Sequence, residues 1–124
     1  MKYDEVTIGN SYTLQCNHSF TTDIYEVVWK YDNGTSSDVV ASQRFGENIT
    51  YGSGYSIEKV ELTFPAGDLL LKSFSCYDEK QYRCTFKEIP PTVERLANIY
   101  NLSSIGKFQS LILIHGCGRG TILN

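Results

Sequence analysis

Segments of alternating polarity, cut at short intervals by Gly, Asn, Asp and Pro, run along most of the 124 residues. That pattern constrains the fold more than any other feature, because a period of two puts apolar side chains on one face of a strand. Val6 to Ile8 reads as a short edge strand ended by Gly9-Asn10. Ser11 to Asn17 sets Tyr12, Leu14 and Cys16 on one side. Tyr25 to Tyr31 sets Val27 and Trp29 together, with Tyr25 and Tyr31 in phase. Asp32-Asn33-Gly34 fits a hairpin turn, since Asn-Gly tolerates positive φ, and Val39-Val40-Ala41 follows as a short strand. Residues 42–56 are polar and Gly-rich, as in an edge strand or a loop. Ile57, Val60, Leu62 and Phe64 give another extended segment, and Pro65-Ala66-Gly67 a turn. Asp68 to Phe74 carries Leu69 and Leu71 in phase, and Gln81 to Phe86 and Phe108 to Ile114 complete an all-β set.

One segment departs from the pattern. After Pro90-Pro91-Thr92, the apolar positions Val93, Leu96, Ala97, Ile99 and Tyr100 fit helical spacing, with Thr92 as a cap and Glu94 suited to a helix N-terminus. A short helix or compact loop is expected there. The closing Gly116-Cys117-Gly118-Arg119-Gly120 reads as a linker, giving one domain over 1–116 and a Gly-rich tail over 117–124.

Hydrophobic residues make up 41% and charged residues 20%, which suits a globular domain with a core. The net charge of −3 and scattered Lys and Arg leave no basic stripe for nucleic acid or an anionic membrane. No run approaches the ~20 apolar residues of a membrane span, and no leader opens the chain. The sequence is expected to be a piece of a longer protein, touching a membrane only through an anchor outside it. Cys16, Cys76, Cys84 and Cys117 form no C-x-x-C pair, and the histidines are His18 and His115, so zinc lacks its ligand spacing. No metal or cofactor is expected. An even cysteine count favours two disulfides and an oxidising compartment. Sequons at Asn17, Asn33, Asn48 and Asn101 agree and mark candidate glycosylation sites.

Catalysis has little to stand on. Neither histidine accompanies a nucleophile in a signature such as G-x-S-x-G, and His18 beside its sequon reads as a solvated loop residue. Asp78-Glu79 are adjacent in sequence, whereas glycosidase chemistry needs two facing carboxyl groups in a cleft. Gly52-Ser53-Gly54 lacks the lysine and following helix of a phosphate loop.

With Cys16, Trp29 13 residues after it, Leu69, Leu71 and Phe74 in phase, and Asp78, Tyr82 and Cys84 in a D-x-x-x-Y-x-C run, the chain resembles the V-type domains of the immunoglobulin superfamily over roughly residues 5–114. Gly9-Asn10-Ser11-Tyr12-Thr13-Leu14-Gln15-Cys16 is similar to the family's G-x-S-x-T-L-x-C segment. Trp29 follows Cys16 by 13 residues, where the family keeps its strand-C tryptophan. Leu69, Leu71 and Phe74 fall on its buried strand-E positions. Asp78, Tyr82 and Cys84 fall on its D-x-G-x-Y-x-C corner, with Lys80 in place of the glycine. Gly106 with Leu111 and Leu113 is similar to strand G, although Phe108 stands where antibody-type domains have a second glycine. Lys59 and Arg44 are both open as partner of the corner aspartate.

The resemblance implies a two-sheet Greek-key sandwich with a long F–G loop, about Lys87 to Ser104, that has room for a short helix. It implies a Cys16–Cys84 disulfide joining the sheets, with Trp29 packed on it and the Tyr82 hydroxyl bonded back to the backbone. Trp29, Tyr82, Leu14, Leu69, Leu71, Phe74, Leu111 and Leu113 would form the core. The 68-residue gap leaves room for the extra C′ and C″ strands. In such a sandwich Cys76 and Cys117 fall at the same end, so a second bridge is expected between them, the alternative being that Cys117, in its Gly-rich tail, pairs between chains or stays free. The implied function is protein recognition by a cell-surface ectodomain, binding a ligand on another cell or a second copy of itself, as in adhesion, allorecognition or immune receptors. The runner-up is a secreted immunomodulatory effector such as a viral decoy. Val93, Leu96, Ile99 and Tyr100 of the F–G segment are the expected partner-binding residues, and Tyr51 and Tyr55 are candidate outward anchors.

Overall fold

A computed structural model describes residues 1–18, 23–32, 34–89, 94–109 and 112–115, with side-chain surroundings through residue 106. Among the described residues ten strands follow in order: β1 (Lys2–Thr7), β2 (Tyr12–Leu14), β3 (Ile24–Asp32), β4 (Ser37–Arg44), β5 (Thr50–Tyr51), β6 (Val60–Leu62), β7 (Leu69–Leu71), β8 (Gln81–Glu88), β9 (Arg95–Gln109) and β10 (Ile112–His115). A 3-10 turn, Cys76–Asp78, precedes β8. One sheet runs β1-β9-β8-β3-β4-β5, with β10 paired to β9; the other runs β2-β7-β6. These are the A′GFCC′C″ and BED sheets of a V-type sandwich, with β1 parallel to β9 and β3 antiparallel to β8 and β4. No helix among the described residues is long and apolar enough to cross a membrane.

The two sheets face each other through their inward rows. Val27 and Trp29 of β3 and Tyr82, Cys84 and Phe86 of β8 meet Leu14, Cys16, Val60, Leu69, Leu71 and Phe74 from the smaller sheet. Burying these large side chains supplies the main driving force for folding. The Cys16–Cys84 disulfide joins the sheets across a Cα–Cα distance of 5.5 Å. Trp29 is the register partner of Cys84, and its indole N–H donates to the Gly67 carbonyl at 2.6 Å. Gly67 is required there: its φ is +88°, and a Cβ would stand 2.8 Å from the Cys16 Cβ.

Strand G is displaced from its expected place. It begins at Arg95, not Phe108, and runs 15 residues without helix. Gln81 pairs with Asn101 and Phe86 with Arg95, so the F–G connection spans 89–94 rather than 87–104. Pairing with β8 and β1 satisfies the backbone of this segment, and that outweighs its helical spacing. Its inward row is Tyr100, Leu102, Ser104 and Gly106. Two of those four are not apolar, and the period of two is hidden. Ser104 is held instead by Glu79, whose carboxylate accepts from both its N–H and its hydroxyl at 2.7 Å. Leu113 lies on β10 opposite Phe108, beyond the strand that pairs with β8; Leu111 lies outside the described residues.

Other expectations shift less. The β3–β4 hairpin closes at Asp32 and Ser37, a longer connection than a two-residue Asn-Gly turn. Ile57 is exposed before β6 begins. Tyr55 is buried, with its hydroxyl accepting from Lys80. The tail 117–124 lies outside the described residues.

Candidate functional site

The sandwich has two ends. At one, the 3-10 turn and β8 form a closed corner. Asp78 is fully buried, and its Oδ2 accepts from Lys59 Nζ at 2.5 Å, Ser75 N at 2.8 Å and Ser75 Oγ at 3.2 Å. The Tyr82 hydroxyl donates to the Asp78 carbonyl at 2.7 Å. Of the two basic candidates, Lys59 is thus the aspartate's partner. Arg44 pairs with Glu26 at 3.0 Å on the outer face of the large sheet.

The other end gathers the connection before β3, the β4–β5 turn and the F–G connection. Backbone bonds tie these together: Ile89 N–H donates to Asp23 at 3.1 Å and Phe45 N–H to Tyr25 at 2.7 Å. Three large apolar side chains project here, Phe45 at 63% exposure, Leu96 at 54% and Ile89 at 39%. Leu96 on β9 and Phe45 after β4 are separated by three strand spacings, about 14 Å.

Between the ends, the outer face of the large sheet is a mosaic of charge pairs. Glu26 meets Lys87 at 3.7 Å as well as Arg44; Asp32 meets Arg83 at 2.6 Å; Lys30 meets Glu94 at 3.8 Å; Arg95 meets Glu88 at 3.9 Å. Partly exposed pairs of this kind contribute about 0–1 kcal/mol each. Together they pattern the face with both signs of charge. Glu94 also accepts from the Thr85 hydroxyl at 2.7 Å, which draws the start of β9 down onto the middle of the face.

Among the described residues, the expected binding positions fall in different surroundings. Leu96 is exposed at the loop end, and Ile99 is half-buried on β9. Tyr100 is 2% exposed and belongs to the core, against Trp29, with its hydroxyl accepting from Gln15 N at 2.9 Å; it cannot meet a partner. Val93 lies outside the described residues. Phe45 and Ile89 escaped the sequence reading. Phe45 left one trace, a lone large apolar residue in a polar, Gly-rich stretch.

Of the sequon asparagines, Asn17 and Asn48 are exposed, Asn101 is half-buried on β9, and Asn33 lies outside the described residues. His18 is half-buried rather than solvated, with its ring against Phe86 and Nε2 2.8 Å from the Pro65 carbonyl oxygen. Among the described residues, no cluster of His, Cys, Asp or Glu is arranged to hold a metal ion. Cys76 is disulfide-bonded, and Cys117 lies outside the described residues.

No family profile and no curated sequence matches the chain. Solved structures do. The first Ig-like domain of human CD48 antigen superimposes with a TM-score of 0.72 at 14% identity, over 92% of this chain and 89% of that one. The V domain of amphioxus IgVJ-C2 gives 0.66 at 20% identity, over 82% and 98%. The extracellular domain of the voltage-gated sodium channel beta4 subunit gives 0.60 at 15% identity, over 92% of both. That last protein is described in parallel homodimers that explain its role in cell–cell adhesion.

Proposed function

We propose, from the V-type immunoglobulin fold that these chains share, that this domain is the ligand-binding ectodomain of a cell-surface recognition or adhesion receptor. It grips a protein on another cell, or a second copy of itself, through the loop end and the adjoining outer face. The observation that carries this reading is the placement of exposed apolar side chains. Seven large hydrophobic residues are exposed among the described residues, and three of them, Phe45, Ile89 and Leu96, stand at the loop end. Apolar anchors rimmed by charge are the usual composition of a protein interface. The role of the sodium channel beta4 subunit's parallel homodimers in cell–cell adhesion supports the homophilic form.

Beads coated with the chain test this. They are expected to cluster with one another or to bind cells bearing the partner. Phe45→Asp with Leu96→Asp should abolish that binding, and Ile57→Asp, at the exposed position before β6 of the smaller sheet, should leave it intact. Equal binding by the loop-end variant would overturn the assignment.

The domain works outside the cell, where its disulfides form. Cys76 pairs with Cys117, and Asn17 and Asn48 carry glycan more readily than half-buried Asn101. Peptide mapping of the unreduced protein reads both points. A Cys117–Cys117 linkage between chains would contradict the first, and fuller occupancy at Asn101 the second.

A further inference from the structure

Lys80 stands where the resembling domains place a corner glycine, and its ammonium is enclosed by tyrosines. Nζ lies 3.6 Å from the ring centroid of Tyr77, 3.9 Å from that of Tyr31 and 5.5 Å from that of Tyr55, and it donates to the Tyr55 hydroxyl at 3.1 Å. The rings come from three separate places: the end of β3, the loop after β5 and the 3-10 turn. Tyr55 is 6.2 Å from Tyr31 and 6.0 Å from Tyr77, centroid to centroid, so the three close around one cation. Tyr31 and Tyr77 offer their negative faces to the positive charge, and Tyr55 meets it with its hydroxyl oxygen. Burial pulls the Lys80 amine below its ordinary pKa, so the cage takes an ammonium partly out of water.

Nothing in the proposed recognition surface uses this cage. Tyr31 is six residues along β3 from Tyr25, about 20 Å from the loop end. Two of the cage walls also open outward. Tyr31 and Tyr77 line a cleft of about 420 Å³ together with Asp38, Gly52, Ser53 and Gly54. Tyr77 is 51% exposed there, and Asp38 is exposed on β4, hydrogen-bonded with the Tyr31 hydroxyl. Gly54 takes a φ of +85° at the cleft wall, where a Cβ would lie 3.2 Å from the Tyr77 hydroxyl.

We infer that the Tyr31–Tyr55–Tyr77 cage is a cation-recognition site held by the chain's own Lys80, and that its external ligand is an arginine side chain of a partner protein, which enters by the cleft and displaces Lys80. The chemistry selects arginine. A guanidinium is planar and weakly hydrated, stacks on aromatic faces and forks onto a carboxylate. The cleft sets two tyrosine rings beside the Asp38 carboxylate. Lys80, already in place, competes as a tethered ligand at high effective concentration. The site therefore binds weakly until a partner adds contacts elsewhere or the lysine is removed.

The full chain labelled in its tyrosine rings tests this by NMR, with N-acetyl-arginine amide as the probe and sodium chloride of equal ionic strength as the control. In Lys80→Ala the Tyr31 and Tyr77 ring signals should shift saturably, at a probe concentration about tenfold or more below that needed by the wild type. Lys80→Met keeps the chain length and stands in if alanine unsettles the corner. Adding Tyr77→Leu to either variant should remove the response. Ring signals that ignore the probe in both variants overturn the site. Equal responses in variant and wild type overturn the occupancy by Lys80. A response to tetramethylammonium without one to the arginine probe overturns the choice of ligand. The wild-type chain gives an independent reading: adding the probe should release Lys80 and change its acylation rate, while the other lysines keep theirs. A rate indifferent to the probe contradicts the inference.

Discussion

The two ends of this sandwich are built on opposite terms. At the corner before β8, a carboxylate is fully buried and given three donors on one oxygen, with a tyrosine hydroxyl closing on its backbone. At the loop end, 63% of Phe45 and 54% of Leu96 are left in water. The same strand, β3, runs between both ends, and Trp29 on it is pinned beside the disulfide. Stability is therefore concentrated in the core and the corner, and the loop end is free to present side chains that the fold does not need.

That contrast can be broken at its strong side first. Removing the bridge with Cys16→Ala and Cys84→Ala opens a loop of 68 residues. It should lower unfolding free energy by about 4 kcal/mol, read from the midpoint of urea denaturation. A loss near zero would mean that the sheets are held together without it. Asp78→Ala should cost about 3 kcal/mol in the same measurement, because Lys59 and the Ser75 N–H lose their shared acceptor. A cost under about 1 kcal/mol would show that the corner is not where stability resides. Glu94→Ala sits between the two regions. It frees the Thr85 hydroxyl and Lys30 and should cost about 1 kcal/mol, with faster amide exchange confined to the first residues of β9. Exchange spreading into β3 would blur the boundary drawn here.

The sheets and the corner were legible in the sequence because their chemistry is local. Cys16, Trp29 and Cys84, with Tyr82 and Asp78, carry the V-type pattern, and the leucines of β7 alternate openly. Strand G was not legible, for a physical reason. Its inward positions include Ser104, satisfied by Glu79 from another segment, and Gly106. Meanwhile the most apolar run, Leu111 to Ile114, drew the assignment to the wrong place. The same misplacement put Tyr100 on the surface, when it packs against Trp29. The charge mosaic and the tyrosine cage depend on cross-strand register: Lys30 meets Glu94, and Lys80 meets Tyr31, across distances in sequence that no spacing rule reaches. Lys80 was visible only as an odd residue at a glycine position.

The most direct test pairs two readings on one variant, Phe45→Asp with Leu96→Asp. Its unfolding free energy should stay within about 0.5 kcal/mol of the wild type, while binding to partner-bearing cells or to beads carrying the chain is lost. A variant that binds as before, or one that unfolds several kcal/mol more easily, would contradict the division between a stabilising corner and a recognising loop end.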